Sequence, residues 1–336
     1  MAVQTALDIS VVICAYTEAR WDNLVLAVES IRRQHMAPRE TIVVIDYNPA
    51  LLERARTHIP DIIVIENTGP KGVSGARSTG VAEAQGTLIA CLDDDAIADP
   101  DWLEKLSDCC ADPIVLGAGS SVKPQWEGQR PQWFPAEFYW VLGCSYQPTT
   151  DEPVEVRNLW AGCMCVRREV FETVGAFRSD IGHIGKQVLG GEETELCIRA
   201  KQHWPDKKFL YESRASIHHY IPTHRATWQY FLSRCYAEGF SKAIITRYVG
   251  VQDSLSTERS YTLTTLPLGV VHGIADCLLR HDVSGLQRAG AIIAGLATTA
   301  AGYVMSTLSQ VTLAQKETME NADAHFKQGI RAVTRG

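Results

Sequence analysis

The feature that most constrains this chain is a short apolar run, Thr87 to Leu92, that ends on Asp93-Asp94-Asp95. A continuous apolar run of this length is what a strand covered on both faces requires. Three adjacent carboxylates at its end repel one another, and removing them from water raises the cost of each charge. A divalent cation relieves both costs, because hard oxygen ligands bind Mg²⁺ or Mn²⁺ and leave coordination positions for phosphate oxygens. The plainer alternative is a solvated acidic turn before a helix, with Asp99 or Asp101 as its cap.

Similar runs stand upstream. Ile9 to Ala15, Thr41 to Ile45 and Asp61 to Ile65 read as three more buried strands. Between them, Trp21 to His35 carries Leu24, Val28 and Ile31 at helical spacing, and Gly75 to Ala84 reads as a helix after a Gly-rich turn. Strands alternating with helices predict a parallel, doubly wound sheet. Ligands gather at the carboxyl ends of such strands, and Tyr16, Asp46 and the three aspartates all fall there. Further on, Pro124 to Pro135 reads as an ordered loop, and Asn158 to Arg168 as a strand running into a helix. Gly190-Gly191 opens a helix that reaches Gln202, and Ala226 to Tyr248 is a long helical pattern with interleaved aromatics.

Composition narrows the classes. With 32 basic and 39 acidic residues the net charge is −7, which argues against a nucleic-acid binder working through a broad cationic face. The ten cysteines are scattered, and Met1 to Asp8 has neither the basic nor the apolar portion of a targeting segment. Reduced thiols and a cytoplasmic location are therefore expected. Cys109-Cys110 and Cys163-Met164-Cys165 lack zinc-site spacing and read as small buried residues.

Three further segments have a plain and a chemical reading each. Thr68 to Gly80 is glycine-rich but matches neither a Walker loop nor GxGxxG. It is either a structural turn or, through helix-start amides and Arg77, a diphosphate contact. Glu192, Glu193 and Glu195 sit in the first turn of a helix, where acids offset the macrodipole; one of them can also serve as a general base. His218 and His219 lie on a strand-like segment, so alternation sends them to opposite faces, and an imidazole there is a hydrogen-bonded strand residue or a metal ligand.

In order and spacing these pieces resemble family 2 of the glycosyltransferases, the inverting group with the GT-A fold. The resemblance runs from Ile9 to Ala243. Its carriers are Ala15-Tyr16-Thr17-Glu18, Asp46, the segment Gly72 to Gly80, Asp93-Asp94-Asp95 followed by Pro100-Asp101-Trp102-Leu103, the stretches Gly162 to Glu169 and Val174 to Phe177, Glu192-Glu193, and His219. Ser78 and Cys163 stand where the family often has Asn, Glu193 replaces its usual Asp, and Tyr47-Asn48 follow Asp46 in place of Gly-Ser.

The resemblance implies a nucleotide-diphospho-sugar transferase fold, a Rossmann-like mixed sheet flanked by helices, with a helical C-terminal extension. It implies transfer of a sugar from a nucleoside-diphosphate donor, a UDP-sugar favoured, to a hydroxyl acceptor on a polysaccharide, glycolipid or small molecule. Ala15, Tyr16, Glu18 and Asp46 would hold the nucleoside, with Arg77, Asp93 and Asp94 in the same donor site. Asp95 and His219 would hold Mn²⁺ or Mg²⁺. Glu193 would take the acceptor's proton, with Glu192 the nearest alternative. The expected division is a catalytic domain over 1–225 and a helical region over 226–336. Two rivals are a non-catalytic scaffold of the same fold and a sugar-nucleotide pyrophosphorylase. The latter would carry a basic Gly-rich loop where this chain has Tyr16-Thr17-Glu18.

Between Arg288 and Lys316 the tail has no charged residue. Ala289 to Ser306 approaches the length of a membrane span, but Ala, Gly and Thr favour insertion far less than Leu and Ile. A soluble helical hairpin is the first reading. Peripheral contact with the inner face of a membrane is the second.

Overall fold

Strand β1 (Ile9–Ala15) lies between β2 (Glu40–Ile45) and β4 (Leu88–Asp93), with β3 (Ile63–Glu66) outside β2, and all four are parallel. Ile9, Val11 and Ile13 enter one apolar core and Val12 the other, so β1 is buried on both faces, as its uninterrupted apolar run requires. Helices α1 (Trp21–Arg32), α2 (Pro49–His58) and α3 (Val73–Glu83) make the crossovers. This computed structural model describes residues 7–146, 150–179, 181, 183–184, 187–188, 190–250, 253 and 260–333, with side chains outside 182–189 and 310–333. The first six residues, part of the segment read above for targeting signals, lie outside the described ones.

Past β4 the parallel expectation fails. After β5 (Ala96–Ala98) and α4 (Trp102–Cys109), the chain makes β6 (Val115–Trp126), β7 (Val154–Val156), β8 (Met164–Arg167) and α5 (Arg168–Val174). Short β8 inserts antiparallel between β4 and β6. After a two-stranded ribbon of β9 (His183–Ile184) and β10 (Gln187–Val188), α6 (Glu192–His203) leads to β11 (Lys208–Ile221), parallel to β6. The order is β3-β2-β1-β4-β8-β6-β11-β5, with β7 on β11: the mixed sheet of a GT-A fold. β6 extends through Trp126, so the segment read as a loop from Pro124 begins inside a strand.

All ten cysteines are free thiols, eight of them buried. Burial pushes Cys91 and Cys163 up to about 12, which keeps them inert.

The C-terminal region is α7 (Trp228–Val249), α8 (Leu266–Arg280) and α9 (Ser284–Val333). Trp133 stacks on Trp228 at 4.5 Å between ring centres, and Phe134, Phe138 and Phe231 cluster beside them, which fixes α7 to the domain. α9 then packs on α7 almost backbone to backbone. A Cβ at Gly239 would lie 1.9 Å from the Thr299 carbonyl oxygen, and one at Gly302 2.1 Å from that of Tyr236. Small residues at helix crossings are the device membrane helices use to approach closely.

The hairpin expected from the sequence is present, but its outer face is not one suited to water. The stretches Tyr261–Arg280 and Ser284–Ser309 are each long and apolar enough to cross a membrane, and only 17% and 28% of their apolar windows are buried. Leu278 and Leu279 are 70% and 80% exposed, and Val271, Leu286, Ile293 and Leu308 also point outward. Large apolar side chains are thus exposed along both helices of the hairpin.

Candidate active site

The carboxyl ends of β1, β2 and β4 open onto one cleft of about 1500 Å³, larger than a single ligand of about 300–1,000 Å³ occupies. Ala15, Tyr16, Asp46, Arg77, Asp93, Asp94, Asp95, Glu192, Glu193 and His219 all line it. Glu18 does not. It is exposed on a single 3-10 turn, Glu18–Arg20, whose Ala19 and Arg20 line the cleft instead.

On the donor side, the Asp46 carboxylate accepts from Asn67 Nδ2 at 2.7 Å and from the Gly72 amide at 3.0 Å. The Gly-rich loop is thereby tied to the end of β2, ahead of α3. Tyr16 is half-exposed beside it. Arg77 lines the cleft and is held in an ion-pair network: Nη2 donates to Asp93 Oδ1 at 2.8 Å and Nη1 to Glu192 Oε1 at 2.5 Å. Burial opposes its charge, but the two carboxylates hold the guanidinium firmly protonated. Opposite Asp93, a Cβ at position 162 would fall 2.2 Å from Oδ2, so Gly162 makes room for that carboxylate.

Asp94 and Asp95 are buried. Burial pushes the Asp94 carboxyl up despite Arg20 at 2.8 Å, and its Oδ2 has no hydrogen-bond partner. Asp95 goes the other way. Burial again opposes ionisation, yet His219 first, then Arg20 and Arg225, hold its carboxyl well below the usual range. His219 Nε2 lies 3.1 Å from Asp95 Oδ1, and burial of the imidazole is outweighed by that carboxylate, which raises its pKa well above the ordinary value. His218, on the opposite face, pairs with Asp99 at 3.1 Å.

Carboxylate and imidazole side chains of this kind fit a divalent cation in chemistry. The orphaned Asp94 oxygen is the kind of buried polar atom an ion or its water satisfies. Among the described residues no group of three or more His, Cys, Asp or Glu side chains is arranged to hold an ion. Asp95 and His219 would thus be the protein's ligands, with phosphate oxygens and water completing the shell.

The acids of α6 have three distinct surroundings, which macrodipole compensation alone does not explain. Gly191 precedes the helix at φ +96°, and a Cβ there would meet Ile245 of α7 at 2.3 Å. Glu192 is buried against Arg77, and Glu195 against Arg199. Glu193 is half-buried on the cleft wall, where Thr194 Oγ1 donates to it at 3.1 Å. Burial, then the Glu192 charge, push its carboxyl up to about 8.

Sequence reasoning missed the cleft residues Arg20 and Arg225 and those on α7: Tyr230, Arg234, Glu238 and Lys242. The signal for the last four was present, since i, i+4 spacing places them on one helical face.

Residues 10–175 match the model described as Glycosyl transferase family 2. The chain is 28% identical over 308 residues to the glucosyl-dolichyl phosphate glucuronosyltransferase of Haloferax volcanii, covering 90% of this chain and 97% of that protein. It is 34% identical over 110 residues to succinoglycan biosynthesis protein ExoO of Rhizobium meliloti, covering 31% of this chain and 30% of that one. The solved structure of mannosyltransferase PcManGT from Pyrobaculum calidifontis, in complex with GDP-Man and Mn²⁺, shares the fold. Its TM-score is 0.53 at 16% identity, over 88% of both chains.

Proposed function

We propose that this chain, whose residues 10–175 match the Glycosyl transferase family 2 model, transfers a sugar from a nucleoside diphosphate to a hydroxyl of a lipid-linked acceptor, with inversion. The observation that carries this reading is one cleft holding both the strand-end aspartates and the half-buried Glu193. Tyr16, Asp46, Asp93 and Asp94 hold the donor, and a uridine diphosphate is the favoured carrier. Asp95 and His219 hold a divalent cation, Mn²⁺ or Mg²⁺, which offsets the charge that builds on the departing diphosphate. Glu193 accepts the acceptor's proton as the new bond forms. The domain division proposed is 1–225 and 226–336, with both parts walling the cleft.

Two things support a lipid-linked acceptor: the uncovered apolar faces of α8 and α9 beside the cleft, and the dolichyl phosphate in the name of the Haloferax relative. The buried free thiols suit the cytoplasmic face of a membrane.

Asp95→Ala should keep the fold and lose Mn²⁺-dependent binding of UDP. Calorimetric titration of UDP with and without Mn²⁺ reads this directly, and unchanged affinity in the variant overturns the metal assignment. The full chain should float with liposomes. Leu278→Glu combined with Leu279→Glu should keep its melting temperature but lose most of that flotation, because two charges would enter the proposed apolar contact. Flotation that survives both charges rules this face out as the membrane contact.

A further inference from the structure

The strand-end aspartates are not bare. Arg20 Nη1 donates to Asp94 Oδ1 at 2.8 Å and stands 3.1 Å from Asp95 Oδ2, so one guanidinium holds both carboxylates. Both aspartate side chains are 4% exposed, against 25% for Arg20, which lines the cleft. Arg225 reaches Asp95 alone, at 3.8 Å, and His219 lies on its other oxygen, Oδ1, at 3.1 Å. Of these cations only Arg20 spans the pair.

The placing of Arg20 has no local reason. It is the N-cap residue of α1 and makes no side-chain capping bond there, and a cation is disfavoured at the positive end of a helix. Its mount is a 3-10 turn of three residues, none of them buried. The guanidinium also lies 5.5 Å from the ring centre of Tyr16, within cation–π range, so the side chain has a second place to rest on the cleft wall. Where it stands, it compensates incompletely: one charge faces two carboxylates, and Asp94 Oδ2 keeps no hydrogen-bond partner. A divalent cation at these carboxylates brings twice the charge. It and the guanidinium cannot both sit there, since like charges this close repel strongly when removed from water.

We propose that Arg20 is the built-in counter-cation of Asp94 and Asp95 and competes with the divalent cation for them, so that an ion binds only by displacing it toward Tyr16. Arg20 is then a positioning residue. It keeps the buried acids compensated, and it sets how much an incoming ion and its other ligands must gain in order to bind. This inference rests on the assignment of the cation to Asp95 and His219 given above.

Binding of Mn²⁺ to the full chain without nucleotide, counted from the paramagnetic resonance of the free ion, tests it. Arg20→Gln should bind Mn²⁺ at least about tenfold more tightly than the wild type, because a unit charge this close opposes the ion even under strong screening. Arg20→Lys, which keeps the charge, should stay near the wild type. Arg225→Gln, which acts on one carboxylate at a longer distance, should gain less than Arg20→Gln. With EDTA present, Arg20→Gln should melt below the wild type, since two buried carboxylates lose a partner. Added Mn²⁺ should then raise its melting temperature by more than it raises that of the wild type. Arg20→Gln that binds Mn²⁺ no better than the wild type overturns the competition and leaves the metal assignment standing. Equal tightening in Arg20→Lys overturns it too, because shape and not charge would then keep the ion out. If Asp95→Ala binds Mn²⁺ as well as the wild type does, the ion sits elsewhere, and the metal assignment falls together with the proposal.

Discussion

Glu193→Gln is expected to lower kcat by about 10²–10⁴-fold while the affinity for UDP and Mn²⁺ is retained, because an amide keeps the shape of the side chain and cannot take a proton. The pH profile carries a second signature. With its carboxyl raised to about 8, Glu193 is mostly protonated at neutrality, so wild-type transfer should rise as pH passes through about 8 and then level. The glutamine variant should show no such rise. Stability moves in the opposite sense. The folded chain holds this proton up to about 8, whereas an unfolded glutamate releases it near pH 4.3, so ionising Glu193 draws stability down across that interval. Above pH 8 the glutamine variant should therefore melt higher than the wild type. Single-turnover kinetics and melting curves from pH 6 to 9 check both. A dead Glu192→Gln beside an active Glu193→Gln would move the base by one residue.

Arg77→Met should cost about 3–5 kcal/mol of stability, the usual consequence of removing one partner from a buried ion pair. The Glu192 side chain is 5% exposed and is left in the interior with its charge, whereas Asp93, at 40%, can turn to water. The double variant Arg77→Met with Glu192→Gln should recover most of the loss, since no buried charge is then left alone. Urea denaturation of the three proteins reads this. If Arg77 instead served the donor's diphosphate, stability would hold in the single variant and only the donor KM would rise.

The parts of this molecule that sequence revealed are those where one physical requirement dominates. β1, β2 and β4 are buried on both faces, so their residues are uniformly apolar and their ends could be read to within a residue or two. The placement of His219 and His218 on opposite faces followed from strand alternation. β6 escaped because Gly117, Gly119, Ser120, Ser121 and Lys123 break any apolar run. Some of those residues answer to neighbours rather than to strand propensity: a Cβ at Gly117 would lie 2.6 Å from the Cys165 carbonyl oxygen, and Ser120 Oγ accepts from the Trp102 indole. Arg20 was hidden for a related reason. Nothing local says which residue of a short turn meets Asp94, 74 positions further along the chain, and Glu18, the more conspicuous residue, faces outward. In the tail, composition gave length and polarity, but not which apolar faces another helix would cover.

The close contact of α7 with α9 determines how this chain can be recombined with its relatives. A chimera that keeps α7 and takes a foreign hairpin after Gly250 would set two unmatched helices together at Gly239 and Gly302. Any larger residue at either place puts an atom about 2 Å from the opposing backbone. At its other end α7 is matched to α6, where Ile245 fills the space that Gly191 leaves. The smallest portable cassette is therefore the whole run from Trp228 onward together with the α6 start it was fitted to, and acceptor preference should transfer between homologues only when that cassette moves intact.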